Sequence, residues 1–188
     1  MPRLPLDAYM TPPHYIAALL NEVNIHGIVY EPCVGDGAIA DALRALPSVR
    51  RVVTNDIDPH CAADTHYDAT AEIEAHVPPL FDWAVTNPPF ADAFDILMMT
   101  WPSIRNVAFL ARLSFLEPTE ERAGFLEEHP PTQMIVLPRY SFRNNDAGKK
   151  QTDNVTCAWL VWHDNEESRG ISFYGRAKAA VTEQIRRL

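Results

Sequence analysis

The sequence predicts a three-layer α/β fold, with helices on both faces of a largely parallel sheet. Three observations carry that prediction. Apolar, β-rich runs alternate with helical ones along the chain. A glycine-containing turn closes the first such run and opens a helix. Two late apolar runs have no helix between them, which predicts an antiparallel hairpin finishing the sheet. In sheets of this kind ligands sit at the carboxyl ends of the strands, so the turns there are where chemistry is expected.

The elements follow in order. Residues 12–20 read as a short helix carrying Ile16, Ala17, Leu19 and Leu20, with Thr11 as N-cap and Pro12 at the first helical position. Ile28-Val29-Tyr30 is a strand ended by Pro32. Residues 38–46 are helical, with Ile39, Leu43 and Leu46 on one face and Pro47 as the stop. Residues 51–54 form a second strand, and Tyr67 marks a short third one. Residues 69–77 read as a helix stopped by Pro78-Pro79. Trp83-Ala84-Val85 is the next strand, followed by a helix over 92–100 and a strand over 107–113. A helix over 118–129 starts at Pro118 and ends before Pro130. Residues 133–137 and 156–162 are the two late strands, separated by the polar segment 139–154.

Composition narrows the class. The 188 residues suit one domain spanning 1–188. A hydrophobic content of 47% with 22% charged residues excludes wholesale disorder, collagen and coiled coil. No apolar run approaches the ~18 residues of a membrane span. The segment Met1 to Met10 is Pro-rich and carries Asp7, which predicts no signal peptide. Cys33, Cys61 and Cys157 are odd in number and far apart, so neither a disulfide framework nor a zinc site is expected, and a reducing cytoplasm fits. The net charge of −9 is concentrated: residues 51–100 hold nine acids and one base. Net charge therefore does not favour a nucleic-acid partner, though a basic face elsewhere would still permit one.

The turn Glu31-Pro32-Cys33-Val34-Gly35-Asp36-Gly37 joins strand to helix. Gly35 and Gly37 let the backbone turn sharply and approach a ligand, and Ala40 is the small residue where the helix packs on the sheet. Asp56 ends the second strand, where an acid can accept hydrogen bonds from ribose hydroxyls. A plain strand–turn–helix without ligand is the bland alternative. Glu31 and Asp36 crowd the turn with negative charge, which repels phosphate. A nucleoside bearing positive charge fits better, and S-adenosylmethionine has a sulfonium, an amine and a ribose but no phosphate.

Asn87-Pro88-Pro89-Phe90 directly follows the strand containing Trp83. Two prolines fix two φ angles and restrict Asn87 as well. The rigid turn presents a carboxamide oxygen, a main-chain carbonyl and an aromatic ring. An exocyclic amine on a planar ring needs such partners: Asn87 and the Pro88 carbonyl accept its two N–H bonds, and Phe90 stacks on the ring. A strand-breaking turn with Phe90 in the core is the alternative. The two turns together, in this order, make the functional reading the stronger one.

On these residues the chain resembles the S-adenosylmethionine-dependent amino-methyltransferases, most closely the N6-adenine DNA methyltransferases. The resemblance covers roughly residues 9–90. Tyr9-Met10-Thr11-Pro12 looks like that family's Thr-Pro segment, which implies that Thr11 and Pro12 help hold the methionine part of the cofactor. Glu31 to Gly37, including Cys33, matches its Glu-Pro-x-x-Gly-x-Gly motif. Asn55-Asp56-Ile57-Asp58 matches the ribose segment, and Asp68 resembles the acid that contacts the cofactor's adenine amine. Asn87, Pro88, Pro89 and Phe90 match the catalytic motif. The resemblance implies a Rossmann-like methyltransferase fold, with a cofactor half over 11–80 and a catalytic, substrate-facing half over 81–188. Arg112-Leu113-Ser114-Phe115-Leu116-Glu117, Arg122, Pro138-Arg139 and Ala158 to Trp162 resemble small phage or prophage adenine-methyltransferase-like proteins. The 188 residues are expected to leave no room for the separate target-recognition domain of restriction-system relatives, so high sequence specificity is not expected.

Pro32-Cys33 lies in the cofactor turn, so Cys33 reads as a small packed side chain rather than a nucleophile. His60, Cys61 and His66 match no zinc spacing, and no metal is expected. Trp159 and Trp162 could stack on bases but sit in an apolar strand. Arg139, Arg143, Lys149 and Lys150 face only Asp146 in their segment, with Tyr140 and Phe142 interleaved. That segment reads equally as a solvated loop or as a contact to phosphates and bases. The expected substrate is DNA, flipped from the duplex or single-stranded. RNA bases and protein glutamine side chains are the alternatives for the same turn, and an inactive cofactor-binding protein is a third.

Overall fold

The computed structural model describes residues 10–71, 81–117, 119–138, 156–164 and 169–173. Its strands in chain order are β1 (Gly27–Glu31), β2 (Val49–Thr54), β3 (Phe81–Thr86), β4 (Ile104–Arg112), β5 (Gln133–Val136), β6 (Cys157–Trp162) and β7 (Gly170–Phe173). Its α-helices are α1 (Pro13–Glu22), α2 (Ala38–Arg44), α3 (Ala93–Thr100) and α4 (Glu120–Glu128). The seven strands form one sheet in the order β2-β1-β3-β4-β6-β5-β7. β1 to β4 are mutually parallel. β6 runs antiparallel to both β4 and β5, and β7 is parallel to β5. Among the described strands only β6 is reversed.

Alternation along the central strands sorts the core into two layers. Ala108 and Leu110 of β4 pack with Tyr15, Leu19, Ile39 and Leu43 of α1 and α2. Val107, Phe109 and Ala111 point the other way, toward Ile96, Leu97 and Phe125 of α3 and α4. Every residue of β6 is buried, as expected for a strand covered on both faces. Trp159 and Trp162 belong to these cores: their indole N–H groups donate to Tyr15 O at 2.8 Å and His129 O at 2.9 Å.

The structure corrects several expectations. Tyr67 forms no strand; the region meets β2 only through an isolated bridge between Asn55 and Thr65. The N-cap of α1 is Pro12 rather than Thr11, with Pro13 at the first helical position. Of the expected helix over 69–77, Ala69 and Thr70 lie in a turn, and residues from 72 on lie outside the described ones. The hairpin exists as β5 against β6, but β6 enters between β4 and β5 rather than following them. β7 was not expected, because four residues with Ile171 and Phe173 exposed carry too little periodic signal. Gly27 also has a reason invisible in the sequence. Its φ is +77°, and a Cβ there would lie 2.0 Å from Asp82 Oδ2, the atom that accepts the Ile28 N–H at 2.8 Å.

Candidate functional site

The carboxyl ends of β1, β2 and β3 open into a cleft of about 740 Å³. Thr11, Glu31, Cys33, Gly35, Asp56, Ile57, Asp68 and Asn87, all singled out from the sequence, line it. Pro12 and Gly37 do not; they cap α1 and α2. Pro89 lines the cleft, whereas Pro88 is buried and Phe90 lies beside it, outside the lining. Arg139, Arg143, Lys149 and Lys150 lie outside the described residues.

The glycine turn is held by Asp56, the acid expected from the sequence to accept from ribose hydroxyls. Gly35 takes φ +54° and Gly37 φ +83°, which side chains with a Cβ rarely adopt. The Gly35 N–H donates to Asp56 Oδ2 at 2.8 Å, and the Asp58 N–H to Asp56 Oδ1 at 2.9 Å. One carboxylate thus ties the turn to the β2 loop. Asn55, fully buried, completes the link. It donates to Pro32 O at 3.1 Å and Tyr67 O at 3.0 Å, and accepts from Thr65 Oγ1 at 2.9 Å and Tyr67 N at 3.1 Å. The phenol of Tyr67 is hydrogen-bonded to that of Tyr30. Asp68 follows directly, and its Oδ1 accepts from the Thr70 hydroxyl and N–H. Those two bonds, the side-chain one first, hold its carboxyl below the usual value.

Electrostatics set what the cleft can hold. Among the described residues seven carboxylic ones line it (Glu31, Asp36, Asp56, Asp58, Asp68, Asp92 and Asp95), with no lysine, arginine or histidine. Glu31 is 1% exposed, and its Oε2 has no hydrogen-bond partner among the described residues. Burial above all drives its carboxyl well above the ordinary range; Arg44 opposes this and Asp36 adds to it. Burial likewise pushes the Cys33 thiol up, the opposite of an activated nucleophile. Among the described residues no cluster of histidine, cysteine and carboxylate side chains could hold a metal ion.

The proline turn stands at one wall. Asn87 Nδ2 donates to the buried Thr11 Oγ1 at 3.1 Å, which orients the carboxamide at the cleft. The Asp92 N–H donates to Pro89 O at 3.0 Å, joining the turn to α3. The Arg112 guanidinium lies 4.5 Å from the Phe90 ring centroid. Sequence reasoning placed Arg112 within a resemblance but assigned it no role. The register supplies the missing link: Thr86 pairs with Phe109, so β4 runs on past the end of β3 alongside the turn.

No protein-family model and no curated protein sequence matches the chain. Solved structures do match. One is a candidate class I S-adenosylmethionine-dependent methyltransferase of Listeria monocytogenes, with a TM-score of 0.63 at 13% identity, covering 98% of this chain and 72% of that one. The 23S rRNA methyltransferase ErmE matches with a TM-score of 0.51 at 16% identity, covering 85% and 70%. TrmK of M. capricolum, solved with S-adenosylhomocysteine, matches with a TM-score of 0.52 at 9% identity, covering 86% and 71%. With its parallel sheet, its single reversed strand and its cleft at the strand ends, the chain has the Rossmann-like fold of these methyltransferases.

Proposed function

We propose that the chain transfers a methyl group from S-adenosylmethionine to an exocyclic amine, with N6 of adenine in DNA as the acceptor. The observation that carries this reading is one juxtaposition. Asn87, bonded to Thr11, shares a cleft with the Asp56-bound glycine turn and with a buried glutamate oxygen that has no partner among the described residues.

The residues suit that cofactor. Among the described residues a lining of seven acids without a base disfavours phosphate and favours a cation. Glu31 offers its unpartnered oxygen to positive charge, Asp56 accepts from ribose hydroxyls, and Asp68 accepts from the adenine amine. When bound, S-adenosylmethionine supplies a methyl group made electrophilic by its sulfonium. The chain's own part is to position and polarise. Asn87 Oδ1 and the Pro88 carbonyl accept hydrogen bonds from the substrate amine and favour the positive charge that develops on its nitrogen. No general base is needed before attack, because the proton leaves afterwards to water. Positioning supplies much of the acceleration.

RNA is the second acceptor class, favoured by the rRNA methyltransferase among the structural neighbours. The test is incubation of the chain with isotope-labelled S-adenosylmethionine and DNA, RNA or protein, followed by mass spectrometry of the hydrolysates. N6-methyladenine in DNA is the expected product. Label in RNA or in glutamine reassigns the substrate, and no transfer despite cofactor binding removes the activity.

A further inference from the structure

We infer that Arg112 is the residue that receives a backbone phosphate of the substrate nucleic acid beside the catalytic turn. This rests on the amino-methyltransferase reading above and adds a substrate contact to it.

The reason is a guanidinium whose hydrogen-bond donors are unspent among the described residues. Arg112 ends β4, three residues beyond the Phe109–Thr86 pair, and so stands level with residues 87–90. Its guanidinium lies over the Phe90 ring. Such a contact uses the charge of the group and leaves its N–H donors to other partners. Among the described residues its Nε is inaccessible to solvent and has no hydrogen-bond partner, and neither ion pair includes Arg112. An unpaired buried Nε is costly, and with Nε closed to solvent an acceptor brought by a ligand meets the guanidinium through its Nη groups, which among the described residues have no acceptor.

Arg122 shows what a structural arginine looks like in the same region. It also covers an aromatic ring, Phe115 at 5.2 Å, but its Nη1 donates to Phe115 O and its Nε to Thr119 Oγ1. Its donors serve the fold, whereas those of Arg112 find no acceptor among the described residues. The acidic lining of the cleft on the other side of the turn disfavours a phosphate there. Arg112 places a cation, with the fork geometry that matches phosphate oxygens, next to the ring on which the target base stacks.

The test is fluorescence anisotropy with single-stranded DNA and RNA oligonucleotides of one adenine-containing sequence. Titrations are run over a salt series in the presence of S-adenosylhomocysteine. Arg112→Gln is expected to raise Kd about tenfold and to lower the salt slope by about 0.7, the loss of one phosphate contact to a single strand. Arg112→Lys keeps the cation and is expected to retain the slope. Calorimetry with S-adenosylhomocysteine and a thermal melt show that the cofactor site and the fold are intact in each variant. The DNA and RNA arms tell which backbone supplies the phosphate. Unchanged Kd and slope in Arg112→Gln overturn the assignment, as does a wild-type chain that binds neither oligonucleotide. If instead the wild-type chain fails to bind S-adenosylhomocysteine, the methyltransferase reading falls, and Arg112 stands or falls on the oligonucleotide titrations alone.

Discussion

The carboxamide of Asn55 grips the backbone of Tyr67 at both ends, accepting its N–H at 3.1 Å and donating to its carbonyl at 3.0 Å. This is the pattern a peptide group makes in a strand ladder, made here by a side chain. It explains how residues 65–68 stay beside β2 without forming a strand. The remaining donor and acceptor of the same carboxamide reach Pro32 O and Thr65 Oγ1, so both of its donors and both acceptor positions are used.

Asn55→Leu should therefore be among the most damaging single changes. It keeps side-chain bulk but strands several buried backbone groups, each costing about 1–3 kcal/mol. Urea unfolding should show a loss of at least about 3 kcal/mol, and the affinity for S-adenosylhomocysteine should fall more than tenfold. A loss under about 1 kcal/mol would show that the clamp is dispensable.

Asp56 holds the Gly35 and Asp58 amides and, on the proposed reading, also the ligand's ribose hydroxyls. Asp56→Ala removes both. S-adenosylhomocysteine binding should weaken by roughly 1–3 kcal/mol in calorimetry, the cost of charge-assisted hydrogen bonds left unmade. Unchanged affinity would place the ribose elsewhere.

Glu31 makes stability and cofactor binding pull in opposite directions. Its folded-state value is raised above the ordinary 4.5 by burial. The folded chain then holds the proton where the unfolded chain has lost it. Stability of the ligand-free chain should fall as pH rises from 4.5 toward the raised value, by up to about 1.4 kcal/mol per pH unit. Glu31→Gln removes that slope: it should match wild type near pH 4.5, exceed it in Tm at pH 8, and bind S-adenosylmethionine at least tenfold more weakly. Parallel stability curves for the two proteins would sink this account.

What was legible in the sequence follows from the range of the forces involved. Gly35 was readable because a positive φ is a local demand, and the turn at Asn87 because two prolines act on their own neighbours. The layer order was readable because core alternation repeats within each strand. The third strand was misread, because Tyr67 is held by a side chain of β2 rather than by a ladder. Gly27 and Asp82, or Phe90 and Arg112, meet only through sheet register, which no local pattern encodes. The entry of β6 between β4 and β5 is likewise a matter of pairing, and both strands read alike as apolar runs.

Asn87 should separate catalysis from cofactor binding. Its Nδ2 is committed to Thr11 Oγ1, which turns the carboxamide to one fixed orientation at the cleft wall. On the proposed reading its oxygen acts on the substrate amine, more strongly as charge develops than in the ground state. Asn87→Ala removes that acceptor while leaving Glu31, Asp56 and Asp68 in place. Calorimetry should show S-adenosylhomocysteine affinity within about threefold of wild type, and turnover on the methylated substrate should fall at least a hundredfold, mostly in kcat. Thr11→Val keeps the carboxamide but removes the hydroxyl that orients it. It should lower kcat by a smaller factor, because the acceptor remains but is no longer aimed. If Asn87→Ala retains near wild-type turnover, the amine is polarised by other groups and the proline turn is only a bend in the chain.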